Sequence, residues 1–297
     1  MRTFETSSSS VETAAAAAAE RKGTTTVSVC LPCRDEATTV GAIVANLRRA
    51  LVEDVALVDE IVVVDDRSVD GTADIAAAAG ATVVHVDDIH PQLCRGRGKG
   101  DVLWKSLAVS KGDLVVWLDA DLTNFDPSWV ARLVDPLLVD PSVMLVKGYY
   151  ERPVDAEGHG GGRTTELAAR PMLSLLYPQL AGLYQPLGGE VAGRRSALEQ
   201  LPFVQGWGVE VGLLTDVLDR YGADAIAQVD LGVRHHRHRP LADLSVQAAE
   251  VMVTLLSRSP NAHLIDVEQV LRRPDGTVVA LNTAERPPLS TLDPDHR

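Results

Sequence analysis

The sequence predicts an α/β domain, a mainly parallel sheet flanked by helices, with a helix-rich C-terminal part. Two observations carry this. Between residues 26 and 147 short apolar runs alternate with helical patterns, and several of these runs end abruptly in acidic residues. The segments Ile61-Val62-Val63-Val64-Asp65-Asp66 and Leu114-Val115-Val116-Trp117-Leu118-Asp119-Ala120-Asp121 are apolar until their carboxylates. Strands buried on both faces read this way, and ligands of open α/β sheets collect at the carboxyl ends of their strands.

Taken in order, residues 1–24 are Ser, Thr, Ala and Glu with little to bury, and read as a mobile tail with a frayed helix over the alanines. A strand over 26–31, a helix over 37–52, a strand over 60–64, a helix over 71–79 and a strand over 82–86 follow. This βαβαβ order demands parallel pairing with right-handed crossovers. The glycine-rich basic loop Cys94-Arg95-Gly96-Arg97-Gly98-Lys99-Gly100 leads into a helix over 101–110 and the strand that ends at Asp119. A helix over 127–138 and a strand over 143–147 close a first half, residues 25–150. Residues 154–162, with four glycines and a histidine, read as a mobile loop. Helices over 164–180, 208–221 and 241–257 and a strand near 225–231 make a second half, 151–260. The extension 261–297 is polar and proline-punctuated, with an oligomer partner or substrate expected to order it.

The chain has 297 residues, 45% of them hydrophobic, which is ample for a core. A formal net charge of -13 argues against a nucleic-acid partner or an anionic membrane surface. A phosphate-bearing ligand must therefore meet a local basic cluster or a metal. Cys30, Cys33 and Cys94 lack zinc-ligand spacing and read as reduced thiols of a cytoplasmic protein. The Cys30-x-x-Cys33 spacing invites a redox reading, but such a motif works at a helix N-terminus, and Arg34-Asp35-Glu36 continue a different pattern. No stretch approaches about 18 uninterrupted apolar residues, so neither a membrane span nor a secretory signal is expected.

The residues that carry chemistry lie at the strand ends. Asp119 and Asp121, spaced i, i+2 where a strand frays into a loop, can both reach a hard cation such as Mg²⁺ or Mn²⁺ shared with substrate phosphates. A solvated turn whose Asp caps the next helix is the alternative. The segments Pro32-Cys33-Arg34-Asp35-Glu36 and Asp65-Asp66-Arg67 place acceptors and backbone groups where a uracil ring and a ribose diol need them. Lys99 among glycines before a helix suits an anionic group, or else is a flexible basic surface loop. Gly160-Gly161-Gly162-Arg163-Thr164-Thr165-Glu166-Leu167 offers a second anion site, with an ordinary N-cap as the alternative. The run Val233-Arg234-His235-His236-Arg237-His238-Arg239 concentrates positive potential, and a neutral His there can complete a carboxylate-held metal. Glu210, in the helix start Gly208-Val209-Glu210-Val211-Gly212, either bonds a sugar hydroxyl or an orienting side chain, or complements the helix dipole.

In series, these segments resemble the glucosyl-3-phosphoglycerate synthase family of retaining GT-A glycosyltransferases, with mannosyl-3-phosphoglycerate synthases as close relatives. The likeness covers roughly residues 25–260. It rests on Arg97-Gly98-Lys99-Gly100 with Leu103-Trp104, on Asp119-Ala120-Asp121, and on Gly161 to Leu167 with Ala169-Arg170-Pro171. Gln185-Pro186-Leu187-Gly188-Gly189-Glu190 and Ala225 to Val229 with Leu231-Gly232-Val233-Arg234 complete it. The resemblance implies a GT-A fold and metal-dependent transfer of glucose from UDP-glucose to D-3-phosphoglycerate with retention; a GDP-sugar donor is the alternative. A homodimer is suggested separately, by the apolar surface of the helices over 164–180 and 241–257, which a buried intramolecular face would explain equally.

Position by position, the resemblance implies that Pro32, Cys33, Arg34, Glu36 and Asp66 line the nucleotide pocket, and that Lys99, Ala120 and Asp121 contact the nucleotide sugar. It places a divalent ion, Mg²⁺ or Mn²⁺, on Asp121 and His236, to which the i, i+2 pair adds Asp119, and 3-phosphoglycerate on Arg163, Thr165 and His238, to which the glycine-hydroxyl segment adds Gly162 and Thr164. Asp121, Lys99, Glu210 and His236 are then the catalytic set. Two departures stand out: Arg34-Asp35-Glu36 where the family often has Asn-Glu-Glu, and His238 where it has Asn. Retention is compatible with Glu210 as a nucleophile or with an acceptor that enters on the leaving-group face; the second is favoured, with Glu210 orienting. An inverting transferase with a lipid-phosphate acceptor, and a non-catalytic sugar-nucleotide-binding regulator, are the competing readings.

Overall fold

The computed structural model describes residues 2–4, 11–93, 95–151, 162–234, 241–260, 262–264 and 269–292. Among them one sheet of eight strands dominates. Strands β1 (Arg2–Phe4), β2 (Val27–Cys33), β3 (Glu60–Asp65), β4 (Thr82–His85), β5 (Leu114–Trp117), β6 (Leu145–Glu151), β7 (Val191–Arg194) and β9 (Ile226–Val233) lie in the order β1-β9-β6-β7-β5-β2-β3-β4. All neighbours are parallel except β7, which runs antiparallel to both β5 and β6. The short β8 (Phe203–Val204) lies outside this sheet.

Strand side chains alternate between two cores, as the period of two requires. Val29, Leu31, Ile61, Val63, Leu114 and Val116 face one; Cys30, Val62, Val64, Val115 and Trp117 face the other. The first core is closed by helices α1 (Val11–Lys22), α2 (Val40–Leu47), α3 (Thr72–Ala78) and α5 (Ser128–Val139). The second is closed by α4 (Lys99–Val109), α6 (Arg170–Leu176), α7 (Arg195–Leu198), α8 (Val209–Tyr221) and α9 (Leu241–Arg258). No helix among the described residues is long and apolar enough to cross a membrane.

Three expectations change. The N-terminal segment is not a loose tail: α1 sets Ala15 and Ala18, both fully buried, against the core beside α5, and β1 adds an edge strand to β9. Small alanine faces allow that close approach, which their low hydrophobicity hides. The helix expected over 164–180 is a π-helical turn (Thr165–Ala169), then α6, then a 3₁₀ turn (Pro178–Leu180). In the C-terminal extension, strand β12 (Glu285–Arg286) pairs with β8 and Leu289 is buried. This segment is thus ordered within the chain itself. Strands β10 (Val270–Arg272) and β11 (Val278–Ala280) form a separate hairpin. The glycine loop over 154–161 lies outside the described residues.

Candidate active site

The carboxyl ends of β2, β3 and β5 open into a cleft of about 370 Å³. Its walls are Pro32, Cys33, Arg34 and Glu36 after β2, Asp66 after β3, Gly98, Lys99 and Val102 at the start of α4, Asp119, Ala120 and Asp121 after β5, and Trp207. Every residue expected to contact the nucleotide sugar lies here. The two loops that follow β2 and β3 are clasped to each other. Asp35 N donates to Ser68 Oγ (2.9 Å), and Val69 N donates back to Asp35 Oδ1 (2.9 Å). Asp35 and Arg67 both take positive φ, +56° and +61°, in this clasp. Burial raises the Asp66 carboxyl above its ordinary value, against the pull of Arg67 and Arg34. Such a carboxyl is a suitable acceptor for a ring N–H in a half-dry pocket. Cys30 and Cys33 are buried free thiols, both raised by burial, which leaves the spacing without redox chemistry.

The other end of the cleft is a lattice of buried charges. Lys99 Nζ stands 2.8 Å from Asp119 Oδ1 and 2.8 Å from Glu210 Oε1. The Arg234 guanidinium reaches Asp119 Oδ2 at 2.8 Å, Asp121 Oδ1 at 3.2 Å and Glu190 Oε1 at 3.2 Å, while donating to the Tyr150 hydroxyl. Burial disfavours the Lys99 charge, but Asp119 and Glu210 outweigh it and hold the ammonium above the ordinary lysine range. Burial likewise opposes the Asp119 carboxylate, yet Lys99 and Arg234 keep it well below the ordinary range. Glu190, fully buried, is raised by burial despite Arg234. Lys147, also fully buried, is lowered by burial to about 8, with Glu210 pulling the other way; its ammonium donates to the Gly188 carbonyl. A Cβ on Gly189 would stand 2.1 Å from Asp119 Oδ1, so this carboxylate is seated against bare backbone.

Asp119 and Asp121 fit a divalent ion on this evidence: the donors are hard oxygens, and an arginine cation is already drawn to both. No group of three or more ligating side chains gathers among the described residues, so an ion there takes further ligands from elsewhere, as Mg²⁺ does from phosphates and water. His236 and His238, expected as metal ligand and acceptor contact, lie outside the described residues.

The segment expected to form a second anion site stands apart from the cleft walls. Gly162 has φ +88°, Thr164 and Thr165 are buried, and the π-helical turn they open packs against α9, where Thr164 Oγ1 lies 3.5 Å from Gln247 Oε1. Glu166 pairs with Arg170 at 2.8 Å. Glu210, read as bonding a sugar hydroxyl or an orienting side chain, or else as a dipole partner, is above all the counterion of the Lys99 side chain.

Sequence reasoning passed over Arg234, Glu190 and Lys147 as site residues. Arg234 directly follows strand β9, whose Gln228 and Asp230 interrupt the apolar run, and lay hidden in a basic segment. Glu190 directly precedes β7, and Lys147 is a lone charge inside an apolar strand.

A family model for glycosyl transferase family 2 matches residues 28–201. A glucosyl-3-phosphoglycerate synthase of Mycolicibacterium smegmatis is 46% identical over 277 residues, spanning 91% of this chain and 90% of that one. A synthase of the same description from Petrotoga mobilis is 40% identical over 281 residues, spanning 90% of this chain and 86% of that one. Among solved structures, the glucosyl-3-phosphoglycerate synthase of Mycobacterium tuberculosis in complex with Mn²⁺, uridine-diphosphate-glucose and phosphoglyceric acid superposes with a TM-score of 0.86 at 40% identity, over 98% of each chain. The same enzyme in complex with Mg²⁺ and uridine diphosphate gives 0.84 at 40% identity, over 97% of this chain and 98% of that one. With a GT-A-like sheet, a strand-end carboxylate pair and likeness along nearly its whole length, the chain belongs to glycosyl transferase family 2 and, within it, to the glucosyl-3-phosphoglycerate synthases.

Proposed function

We propose that the protein transfers glucose from UDP-glucose to the hydroxyl of D-3-phosphoglycerate, with retention at the anomeric carbon and with Mg²⁺ or Mn²⁺ as cofactor. The observation that carries this reading is the cleft itself. One end offers Asp66 and the clasped loops to a nucleoside; the other offers the firmly protonated Lys99, beside Asp119 and Asp121, to a diphosphate and its metal, with the buried Arg234 behind the two carboxylates.

Pro32, Cys33, Arg34, Glu36 and Asp66 hold the uridine, and Ala120 with Lys99 and Asp121 faces the diphosphate sugar. Asp119, Asp121 and His236 are the residues that would hold the divalent ion, which when bound screens the charge growing on the departing diphosphate. Lys99 adds a cation that needs no reorientation during reaction, since Asp119 and Glu210 fix it beforehand. Glu210 is committed to Lys99 and serves as an orienting anion, so the acceptor enters on the face the diphosphate leaves. Gly162, Arg163, Thr164, Thr165 and His238 take the phosphate and carboxylate of 3-phosphoglycerate. Residues 25–150 thus form the donor half and 151–260 the acceptor half. Leu167, Leu175 and Tyr184, large side chains left in solvent around α6, support a homodimer, and the reduced thiols support a cytoplasmic location.

The test is product formation by the purified protein with Mg²⁺, D-3-phosphoglycerate and UDP-glucose, GDP-glucose or GDP-mannose in parallel, with Asp121→Ala as control. Glucosylated product from UDP-glucose, lost in the variant, is expected. Product from GDP-mannose alone would overturn the donor assignment. UDP binding without product from any donor would overturn the acceptor and favour a lipid phosphate or a regulatory role.

A further inference from the structure

The C-terminal extension is joined to both walls of the donor cleft at one residue. Asn282 Nδ2 donates to the Arg97 carbonyl (2.6 Å), two residues before Lys99. Its backbone N–H donates to Glu250 Oε1 (2.8 Å), and the other oxygen of that buried carboxylate accepts from Trp207 N (2.8 Å). Trp207 and Lys99 line the cleft from different parts of the chain. Glu250 on α9 therefore brackets two backbone segments, and Asn282 carries the bracket across to the Lys99 loop.

The contacts around this splint leave no slack. A Cβ on Gly206 would stand 2.2 Å from the Asn282 carbonyl oxygen and 2.3 Å from Glu250 Oε2; one on Gly98, whose φ is +98°, would stand 2.9 Å from Asn282 Nδ2. Gly100 N and Asp101 N both donate to the Gln205 carbonyl (2.8 and 3.2 Å), which ties the first turn of α4 to the segment before Trp207. Gln205 N in turn donates to Ala284 O (2.8 Å). Farther along, Arg286 Nε meets the fully buried Asp101 at 2.6 Å, its guanidinium lies over the Trp104 ring, and Trp104 Nε1 donates to Pro287 O (2.7 Å). These bonds fix where the helix that begins at Lys99 starts, and at what height Trp207 faces it.

We infer that Asn282 is a positioning residue for the donor: together with Glu250 it sets the distance between the Lys99 loop and Trp207, and so the width of the cleft that receives the nucleotide sugar. The inference rests on the donor site proposed above. A preorganised cleft binds more tightly because the loops need no ordering on entry. Loss of the splint therefore appears first in donor affinity, not in acceptor affinity or overall stability.

The experiment is calorimetric titration of the full chain with UDP and Mn²⁺, paired with steady-state kinetics and thermal melts. Asn282→Ala, which removes the side-chain bond but keeps the backbone one, is expected to weaken UDP about tenfold, the cost of one lost hydrogen bond plus loop freedom. The KM for UDP-glucose rises in parallel, while the KM for 3-phosphoglycerate and the melting temperature stay near wild type. Glu250→Gln leaves one backbone N–H without its carboxylate and shifts UDP affinity in the same direction. If the alanine variant does not fold, Asn282→Asp, which keeps volume but loses the amide donor, takes its place. UDP affinity equal to wild type overturns the inference, as does a fall in every parameter together with the melting temperature. A wild-type protein that does not bind UDP at all overturns the donor-site reading and this inference with it.

Discussion

Lys99→Met is the most informative single change in the charge lattice. The Lys99 ammonium stands 2.8 Å from one oxygen each of Asp119 and Glu210, and Glu210 is 6% exposed. At an effective dielectric of ~20, each contact is worth about 6 kcal/mol of gross attraction, most of it offset by desolvation of the charges. Removing the cation strands a buried carboxylate, which costs roughly 3–5 kcal/mol. For a chain of this size that is a fall in Tm on the order of 10 °C. Asp119 keeps Arg234, so the stranded anion is chiefly Glu210. Lys99→Met/Glu210→Gln should then regain more than half of the lost stability, because the orphan charge has gone. Activity should not follow: both variants lose a cation at the departing diphosphate, and kcat should fall about 10²–10³-fold in each. Urea or thermal unfolding, with UDP release as the rate assay, measures both quantities. A double variant whose destabilisation equals the sum of the two single changes would refute the coupling, and an undiminished kcat would refute the catalytic role.

Asp119 should set the acid limb of stability. Its folded pKa lies well below the ordinary 3.8, so its contribution is nearly complete above about pH 4 and drains away as pH falls from there toward the folded pKa; Asp119→Asn should flatten the loss of stability below about pH 4 in urea unfolding. Gly189→Ala should disturb a carboxylate held from two sides by Lys99 and Arg234, with a loss of about 1–3 kcal/mol in stability and a far larger fractional loss in kcat, read by unfolding and product formation. Chelation of divalent ions should abolish turnover, and Mg²⁺ or Mn²⁺ should restore it; turnover at full rate in excess chelator would contradict a metal on Asp119 and Asp121.

Much of the cleft was legible because β3 and β5 are apolar runs and the carboxylates of the site directly follow them. Asp66 and the Asp119/Asp121 pair are signposted by the sharp change from Val and Leu to carboxylate. Other features leave no such trace. The direction of β7 depends on the path the chain takes through space, and four residues, Val191–Arg194, carry no sign of it. The burial of α1 depends on small Cβ atoms, which a scale of hydrophobicity undervalues. The splint at Asn282 consists of single hydrogen bonds to residues far away in sequence, and the two-residue strands β8 and β12 are too short for any period to show. Charge pairing was the hardest to foresee. Lys99, Asp119, Glu210 and Arg234 were each visible as charged residues, but which anion would neutralise which cation is decided only when four distant segments converge.

The backward course of β7 turns the sheet edge into a ruler. Because β7 is reversed, its entry residue, Glu190, lands between the exits of β5 and β6, and the edge from β9 to β3 carries Arg234, then past β6 Glu190, Asp119, Cys33 and Asp66. Neighbouring strands are spaced about 4.8 Å apart. In the proposed binding mode a donor laid along this edge would be measured in strand steps: its nucleoside over β3 and β2, its diphosphate one step past β2, over β5, and its glycosidic carbon one step farther, over β7. Loops can lengthen or change sequence without altering those intervals. Such changes would make the donor bind better or worse, but the bond to be broken would stay over the same strand.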